Sequence, residues 1–427
     1  MSAPTALLVA LAALVLPAAA MAANDPLRSE QPNLSLVESD GARANSSTGK
    51  GAIVAVIDSG VQRSHGDLQG GRVLQGYDFV QNDDDPQDGD GHGTHVLGIV
   101  GAAEGNAFGV SSVAPGARLL PVRVLDNDGS GSTSDVARGI DYAVAQGAHV
   151  INLSLGSDIP LLGLFGDGEY DTAIRRALAA GRVVVASAGN NGTPVCEQPA
   201  AAEGLICVGA VNDSGGKTSF SSFGSGLAVT APGSNVLSTY TANGYERVSG
   251  TSQAAPHVSG VAALLVAKGL RGQEVANRLL ATARDAGSSG PDSVYGAGIV
   301  NARQAVAGFP PDGVAGPRRK GAGRSAARIS LRSPDRIRRV LRRGVRVRCR
   351  AAGSGRCRVF VSRSGKRLAQ GSRKVTLGRS SVATAKLNRR GKALLRRALR
   401  RKKRITLRVR VTLPGSKALV RKLRLRP

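Results

Sequence analysis

The last 110 residues of this 427-residue chain are almost without acidic and aromatic side chains. From Arg318 to Pro427 there is one acid, Asp335, and one aromatic, Phe360, against 40 lysines and arginines, a charge of +39. The first 317 residues carry 18 bases and 29 acids, or −11, and hold all five histidines and all six tyrosines. The overall charge of +28 therefore describes neither part, and a uniformly basic protein is excluded. With one aromatic and no base-reading motif, the tail is not expected to recognise specific nucleic acid, although phosphate backbones would attract it at low salt. Long apolar runs are scarce as well. Ala6 to Ala20, running into Ala20-Met21-Ala22, has ~15 residues against the ~20 of a spanning helix, and reads as a cleaved signal peptide over 1–22. Its start, Met1 to Thr5, offers only the terminal amine as positive charge. The mature chain is expected to be secreted, with no membrane span. Cysteine is limited to two local pairs, Cys196 with Cys207 and Cys349 with Cys357. Neither has a His neighbour or the ligand spacing of a metal site; in an exported protein each pair could close a disulfide loop, with buried thiols as the alternative.

What is present is a series of short apolar runs. Ala52 to Ile57, Leu119 to Leu125, Val150 to Leu155, Val183 to Ala186 and Ile206 to Val211 are continuous in Val, Ile and Leu, as strands buried on both faces are. Ser134 to Gln146 and Tyr170 to Ala180 between them have helical spacing and end at Gly147 and Gly181. The alternation predicts an α/β fold, a mostly parallel sheet flanked by helices on both faces, with its site at the carboxyl ends of strands. Further helices are expected at Gln253 to Lys268 and Arg271 to Ala283. A polar arm, 23–48, precedes a catalytic region over 49–308; 309–325, rich in Pro and Gly, reads as a linker. In 326–427, Val345 to Arg350, Arg404 to Leu413 and Leu419 to Arg426 alternate apolar residues with Arg or Lys at period two. With a short basic helix at Lys392 to Arg400, this predicts a small antiparallel β-sandwich with one wet, arginine-rich face.

Three motifs carry the chemistry. Asp58 ends the first strand in Ala55-Val56-Ile57-Asp58-Ser59-Gly60, His92 lies in Asp90-Gly91-His92-Gly93-Thr94-His95, and Ser252 lies in Gly250-Thr251-Ser252-Gln253-Ala254-Ala255-Pro256. Singly, such an Asp or Ser is a helix cap, and His92 with His95 lacks the adjacent Glu of a zinc protease helix. Together, in the order Asp, His, Ser, they resemble the subtilisin-like serine proteases over about residues 24–308. The resemblance implies a serine endopeptidase in which His92 takes the proton of Ser252 and Asp58 holds the imidazole. It places the oxyanion-hole amide at Asn190 in Ser187-Ala188-Gly189-Asn190-Asn191-Gly192, with Asn191 as the competing choice. Substrate would lie as an added strand between Gly129-Ser130-Gly131 and Ser154-Leu155-Gly156, with Ser187, Ala188 and Gly189 lining the first specificity pocket. Those small walls imply broad cleavage, after bulky apolar residues, with no strong charge selection.

The arm Asn24-Asp25-Pro26 resembles the mature start of thermitase-type subtilases, which implies structural calcium at Asp25, Asp67 and Asn106 with the carbonyls of Ala103, Phe108 and Val110. A second acidic stretch resembles another thermitase calcium loop, matching Asp78, Asp83 and Gln87, with Asp85 in place of a threonine. A solvated loop is the alternative there. Catalysis itself would need no cofactor. Gln253 stands where many relatives have Met, and Leu97 replaces a small residue on the His92 helix, so that packing must adjust or His92 shift. The roughly 25 residues after the leader are too few for the family's usual inhibitory pro-domain. For the tail three readings stand: an accessory sandwich, an anchor to anionic cell-envelope polymers, and nucleic-acid binding. The rival to the enzyme is a catalytically silent scaffold whose tail does the binding.

Overall fold

The computed structural model describes residues 24–156, 169–310, 312, 328–331, 336–350, 355–364, 366–375, 380–412 and 419–427. They fall into two compact units, one within 1–314 and one within 315–427. The expected leader and most of the 309–325 stretch lie outside the described residues.

In the first unit, helices α1 (Pro32–Leu36) and α2 (Ser39–Ala44) precede β1 (Ile53–Asp58). Next come β2 (Tyr77–Asp78), α3 (His92–Gly101), β3 (Arg118–Arg123), α4 (Thr133–Ala145) and β4 (Val150–Leu153). They are followed by α5 (Glu169–Ala179), β5 (Val183–Ser187), β6 (Ile206–Val211) and β7 (Val229–Pro232). A separate antiparallel pair, β8 (Val236–Thr239) and β9 (Tyr245–Val248), leads into α6 (Thr251–Ala267), α7 (Gln273–Ala281) and α8 (Ala302–Val306). The other seven strands form one parallel sheet in the order β2-β3-β1-β4-β5-β6-β7.

Successive strand side chains point to opposite faces, so a strand covered on both sides must be apolar throughout. In β1, Val54 and Val56 enter a core shared with α3 and α6, while Ala55 and Ile57 enter the core shared with α4 and α5. The helices begin and end on local chemistry. Ser132 Oγ accepts the Asp135 N–H at 3.0 Å to cap α4, and Gly147 follows its end at φ +80°. The strand order turns at β1: the chain leaves it on one side for β3 and β2, and on the other for β4 onward. A crevice opens at the carboxyl ends of the strands at such a turning point. Asp58 is the last residue of β1.

The second unit runs β10 (Arg328–Leu331), α9 (Ile337–Arg343), β11 (Val345–Arg350), β12 (Gly355–Arg363), β13 (Lys366–Val375), β14 (Ser380–Leu387), α10 (Arg389–Arg400), β15 (Ile405–Thr412) and β16 (Leu419–Leu425). The named strands pair antiparallel, in the order β10-β11-β14-β13-β12-β15-β16, and one isolated parallel bridge joins Arg336 to Arg426. β14 pairs with β11 along most of its length but with β13 only at Ala369↔Leu387 and Gln370↔Lys386. The sheet can therefore bend there, and Val347 of β11, Val359 of β12 and Val409 of β15 share one core with Ile337 of α9 and Leu395 of α10. The expected antiparallel sandwich is realised as a single curled sheet with two helices. A Cys349–Cys357 disulfide ties β11 to β12. In β15 buried residues alternate with the exposed Thr406, Arg408 and Arg410.

Candidate active site

The three motif residues come from three elements whose ends meet at the crevice. Asp58 closes β1, His92 opens α3, and Ser252 is the second residue of α6. Asp58 is buried, and its Oδ1 lies 2.7 Å from His92 Nδ1 while also accepting the Ser59 N–H at 2.8 Å. That contact makes Nδ1 the protonated ring nitrogen and leaves Nε2 as the free acceptor. Burial disfavours the His92 imidazolium, but the charge and hydrogen bond of Asp58, helped by Asp90 and Asp88, outweigh it and hold the pKa above the ordinary histidine value. Leu97 is fully buried in the core on α3, and the Asp58–His92 contact is intact, so this larger residue is accommodated without displacing the imidazole.

His95, despite its spacing from His92, is turned away. Its Nε2 donates to the carbonyls of Val236 and Glu246, both at 3.1 Å, and burial lowers its pKa to about 4. It is a neutral packing residue.

Pro256 has no N–H, so the Ser252 carbonyl, four residues before it in α6, lacks its helical donor. Ser154 Oγ supplies one at 2.7 Å, and the Ser252 hydroxyl in turn donates to the Ser154 carbonyl at 3.3 Å. Behind them Asn152 donates from Nδ2 to Ser154 Oγ at 2.9 Å and accepts from Ser259 Oγ at 2.8 Å. This buried polar ladder fastens β4 to α6 beneath the nucleophile candidate. Sequence reading missed it; the one signal was an Asn inside the otherwise apolar run Val150-Ile151-Asn152-Leu153.

Asn190 and Asn191 separate clearly. Asn190 Oδ1 accepts from the N–H and hydroxyl of Thr251, at 2.8 and 2.9 Å, which leaves its Nδ2 near the start of α6. A Cβ on Gly250 would sit 2.8 Å from Gln253 Oε1, 3.4 Å from Asn190 Nδ2 and 3.7 Å from Ser252 N, so the Asn190 amide and the Ser252 N–H lie on the same side of this glycine as the Gln253 side chain. Asn191 instead gives its amide to Glu197 Oε2 at 3.0 Å.

A cleft of about 630 Å³ runs past His92, Asn190 and Ser252. Gly129, Ser130, Gly131, Ser154, Leu155, Gly156, Ser187 and Gly189 all line it. Ala188 does not: it is fully buried, with its carbonyl taken by the Glu197 N–H at 2.8 Å. The cleft also includes Asp90, Tyr170, Glu197, Gln198 and Pro199, which sequence reading did not single out. Two of these are acids, so the walls are not simply small and apolar.

The two candidate calcium sites differ. Asp25 and Asp67 are both buried; Asn106 donates its side-chain amide to Asp67 Oδ1 at 3.0 Å and its N–H to Asp25 Oδ1 at 3.1 Å. Burial raises the Asp67 pKa despite hydrogen bonds from Asn106, Val110 and Tyr245. Two buried carboxylates beside one amide, with no Lys or Arg ion-paired to either among the described residues, suit a hard cation. Asp78 is unlike them. It pairs with the buried Arg123 at 2.6 Å and accepts the N–H groups of Val80 and Gln81, so its charge is already compensated. Asp83 accepts the Asp85 N–H and Gln87 donates to the Asp88 carbonyl, and this second set does not fit a cation. Among the described residues no group of three or more His, Cys, Asp or Glu is placed to hold a metal. Cys196 and Cys207 are disulfide-bonded.

Residues 49–298 match the profile of the subtilase family. Over 246 residues the chain is 46% identical to a thermophilic serine proteinase of Bacillus sp. (strain AK1), covering 58% of this chain and 60% of that protein's length. Thermitase of Thermoactinomyces vulgaris is 45% identical over 258 residues, 60% of this chain and 89% of the relative. Among solved structures, a protease of Pseudoalteromonas arctica superposes with a TM-score of 0.61 at 34% identity, over 66% of this chain and 98% of that one. The matched sheet, the crevice at its turning point and these similarities agree, and the chain belongs to the subtilase family of serine-type endopeptidases.

Proposed function

We propose that this chain is a secreted endopeptidase that cuts extended polypeptides with Asp58, His92 and Ser252. The observation that carries the reading is the 2.7 Å Asp58–His92 contact on the same cleft as Ser252 and Asn190. His92 Nε2 takes the hydroxyl proton as Ser252 Oγ turns from the Ser154 carbonyl to attack the peptide carbonyl. Asp58 stabilises the imidazolium that forms. The oxyanion receives the Asn190 amide and the Ser252 N–H, one of the first four N–H groups that a helix leaves unbonded. The imidazolium then protonates the leaving amine, and water activated by His92 releases the acyl group. Substrate backbone pairs with 129–131 and 154–156 as an added strand.

Purified protein is expected to hydrolyse casein and to lose that activity to a serine-directed phosphonate. Ser252→Ala should retain only the residual rate of the binding groups, several orders of magnitude lower. A folded wild type no more active than Ser252→Ala, with calcium present, would leave the silent scaffold as the better reading. Two disulfides agree with an oxidising destination, and no helix among the described residues is long and apolar enough to cross a membrane. Calcium would be held by Asp25, Asp67 and Asn106 and would rigidify that loop without entering the chemistry. The outward arginines of β15 and the basic α10 support a second role, attachment to anionic cell-envelope polymers.

A further inference from the structure

Cleft acids are an unexpected feature for a protease that cuts indifferently. Glu197 is only 5% exposed yet lines the cleft beside Ser187, Gly189 and Asn190. Its backbone N–H is pinned to the Ala188 carbonyl at 2.8 Å, and the preceding residue, Cys196, is bonded to Cys207 on β6. The Glu197 carboxylate lies against the backbone of Gly189. A Cβ built there would fall 2.2 Å from Glu197 Cδ, and Gly189 itself has φ +106°.

The carboxylate is bonded but not neutralised. Oε1 accepts from Ser222 Oγ at 2.7 Å and Thr193 Oγ1 at 3.3 Å, and Oε2 accepts from Asn191 Nδ2 at 3.0 Å. All three donors are neutral. A carboxylate has about four acceptor positions, which leaves one on Oε2. Among the described residues no Lys, Arg or His forms an ion pair with it, and the cleft lining holds Asp90 and Glu197 but no Lys or Arg. A buried charge without a counter-ion is costly, and a cation delivered by substrate would offset it through a charge-assisted hydrogen bond.

We propose that Glu197 is a specificity-determining residue, making the pocket beside Ser187 and Gly189 prefer Arg or Lys on the amino side of the cut bond. This rests on the serine-peptidase reading and replaces the expectation of apolar preference. The Asp90 carboxylate, held by the His92 N–H at 2.9 Å, adds to the negative field of the cleft.

The test uses the full chain and peptides that differ only before the scissile bond: Arg, Lys, Gln, Leu or Phe. Casein digests are mapped in parallel by mass spectrometry. Wild type should cut the Arg and Lys peptides with the higher kcat/KM and place most casein cuts after basic residues. Glu197→Gln keeps the shape and can still accept from Ser222, and it should lower the Arg-to-Leu ratio of kcat/KM about ten- to a hundredfold. Loss of folding would depress both peptides alike and leave that ratio unchanged, so active sites are counted with a fluorophosphonate label before rates are compared. Glu197→Asp should restore part of the preference. Preference for Leu or Phe in wild type, or an unchanged ratio in a Glu197→Gln protein that labels fully, overturns the proposal while leaving the peptidase intact. Absence of both labelling and casein cleavage overturns the peptidase reading itself.

Discussion

A histidine serves as a base only while neutral, so in the proposed reaction the pairing that orients His92 also sets the pH at which it would work. Asp58 and the neighbouring acids outweigh burial and raise the His92 pKa above 6.5. The sign follows: kcat/KM should rise with pH through that raised pKa and fall about tenfold per unit below it. Asp58→Asn removes the charge and puts an amide N–H donor in place of one carboxylate oxygen. The limb should move to lower pH, while the plateau drops on the order of 10⁴-fold as the wrong tautomer is favoured. A limb that stays in place or moves upward in Asp58→Asn would show that another group governs it. Asp58, His92 and Ser252 could be picked out as candidates because each carries its own glycine-rich motif. Glu197 and Asn152 were not, since a carboxylate in a loop and an amide in a strand gain their roles only from what tertiary folding sets against them, Gly189 in one case and Ser154 in the other.

At the scale of elements, what could be read was whatever the hydrophobic effect alone specifies. Ile206–Val211 and Val345–Arg350 have the expected bounds because burial on both faces, or on one, imposes an unbroken or alternating pattern. The N-terminal arm lacks such a pattern, yet it forms α1 and α2. It is held by polar side chains: Gln31 donates to the Ser111 and Leu237 carbonyls, at 3.0 and 3.3 Å, and Asn33 lies 2.9 Å from His257 Nε2 on α6. β13 escaped for a related reason, its buried Leu368 and Ala369 being adjacent instead of alternate. The arm also carries Asp25, so calcium would staple it to the 103–110 loop. At a ~100-fold excess of calcium over its Kd, linkage gives about 2.7 kcal/mol, and chelation should lower Tm by roughly 5–10 °C. Asp67→Asn should erase the difference between the two conditions. Equal midpoints with and without chelator would remove calcium from this account.

For the whole molecule, the distribution of charge matters more than its sum. The second unit has a packed core, so its arginines are displayed on a folded surface and not along a loose arm. With Asp335 as the only acid after residue 317, there are almost no carboxylates in this part to compensate them. Like charges on one small sheet repel, which costs stability, and a polyanion relieves that repulsion. The attraction is screened within ~10 Å at 0.1 M salt, so binding of the full chain to isolated anionic envelope polymers should weaken steeply as salt rises. Replacing the exposed Arg408 and Arg410 with Gln should reduce the salt slope and weaken binding without altering casein hydrolysis, because neither residue lies in the peptidase unit. A neutral polymer of the same length serves as the control. Equal retention of neutral and anionic polymers, or binding indifferent to salt, would mean that the basic face is no anchor and that the tail's charge merely keeps an accessory domain in solution.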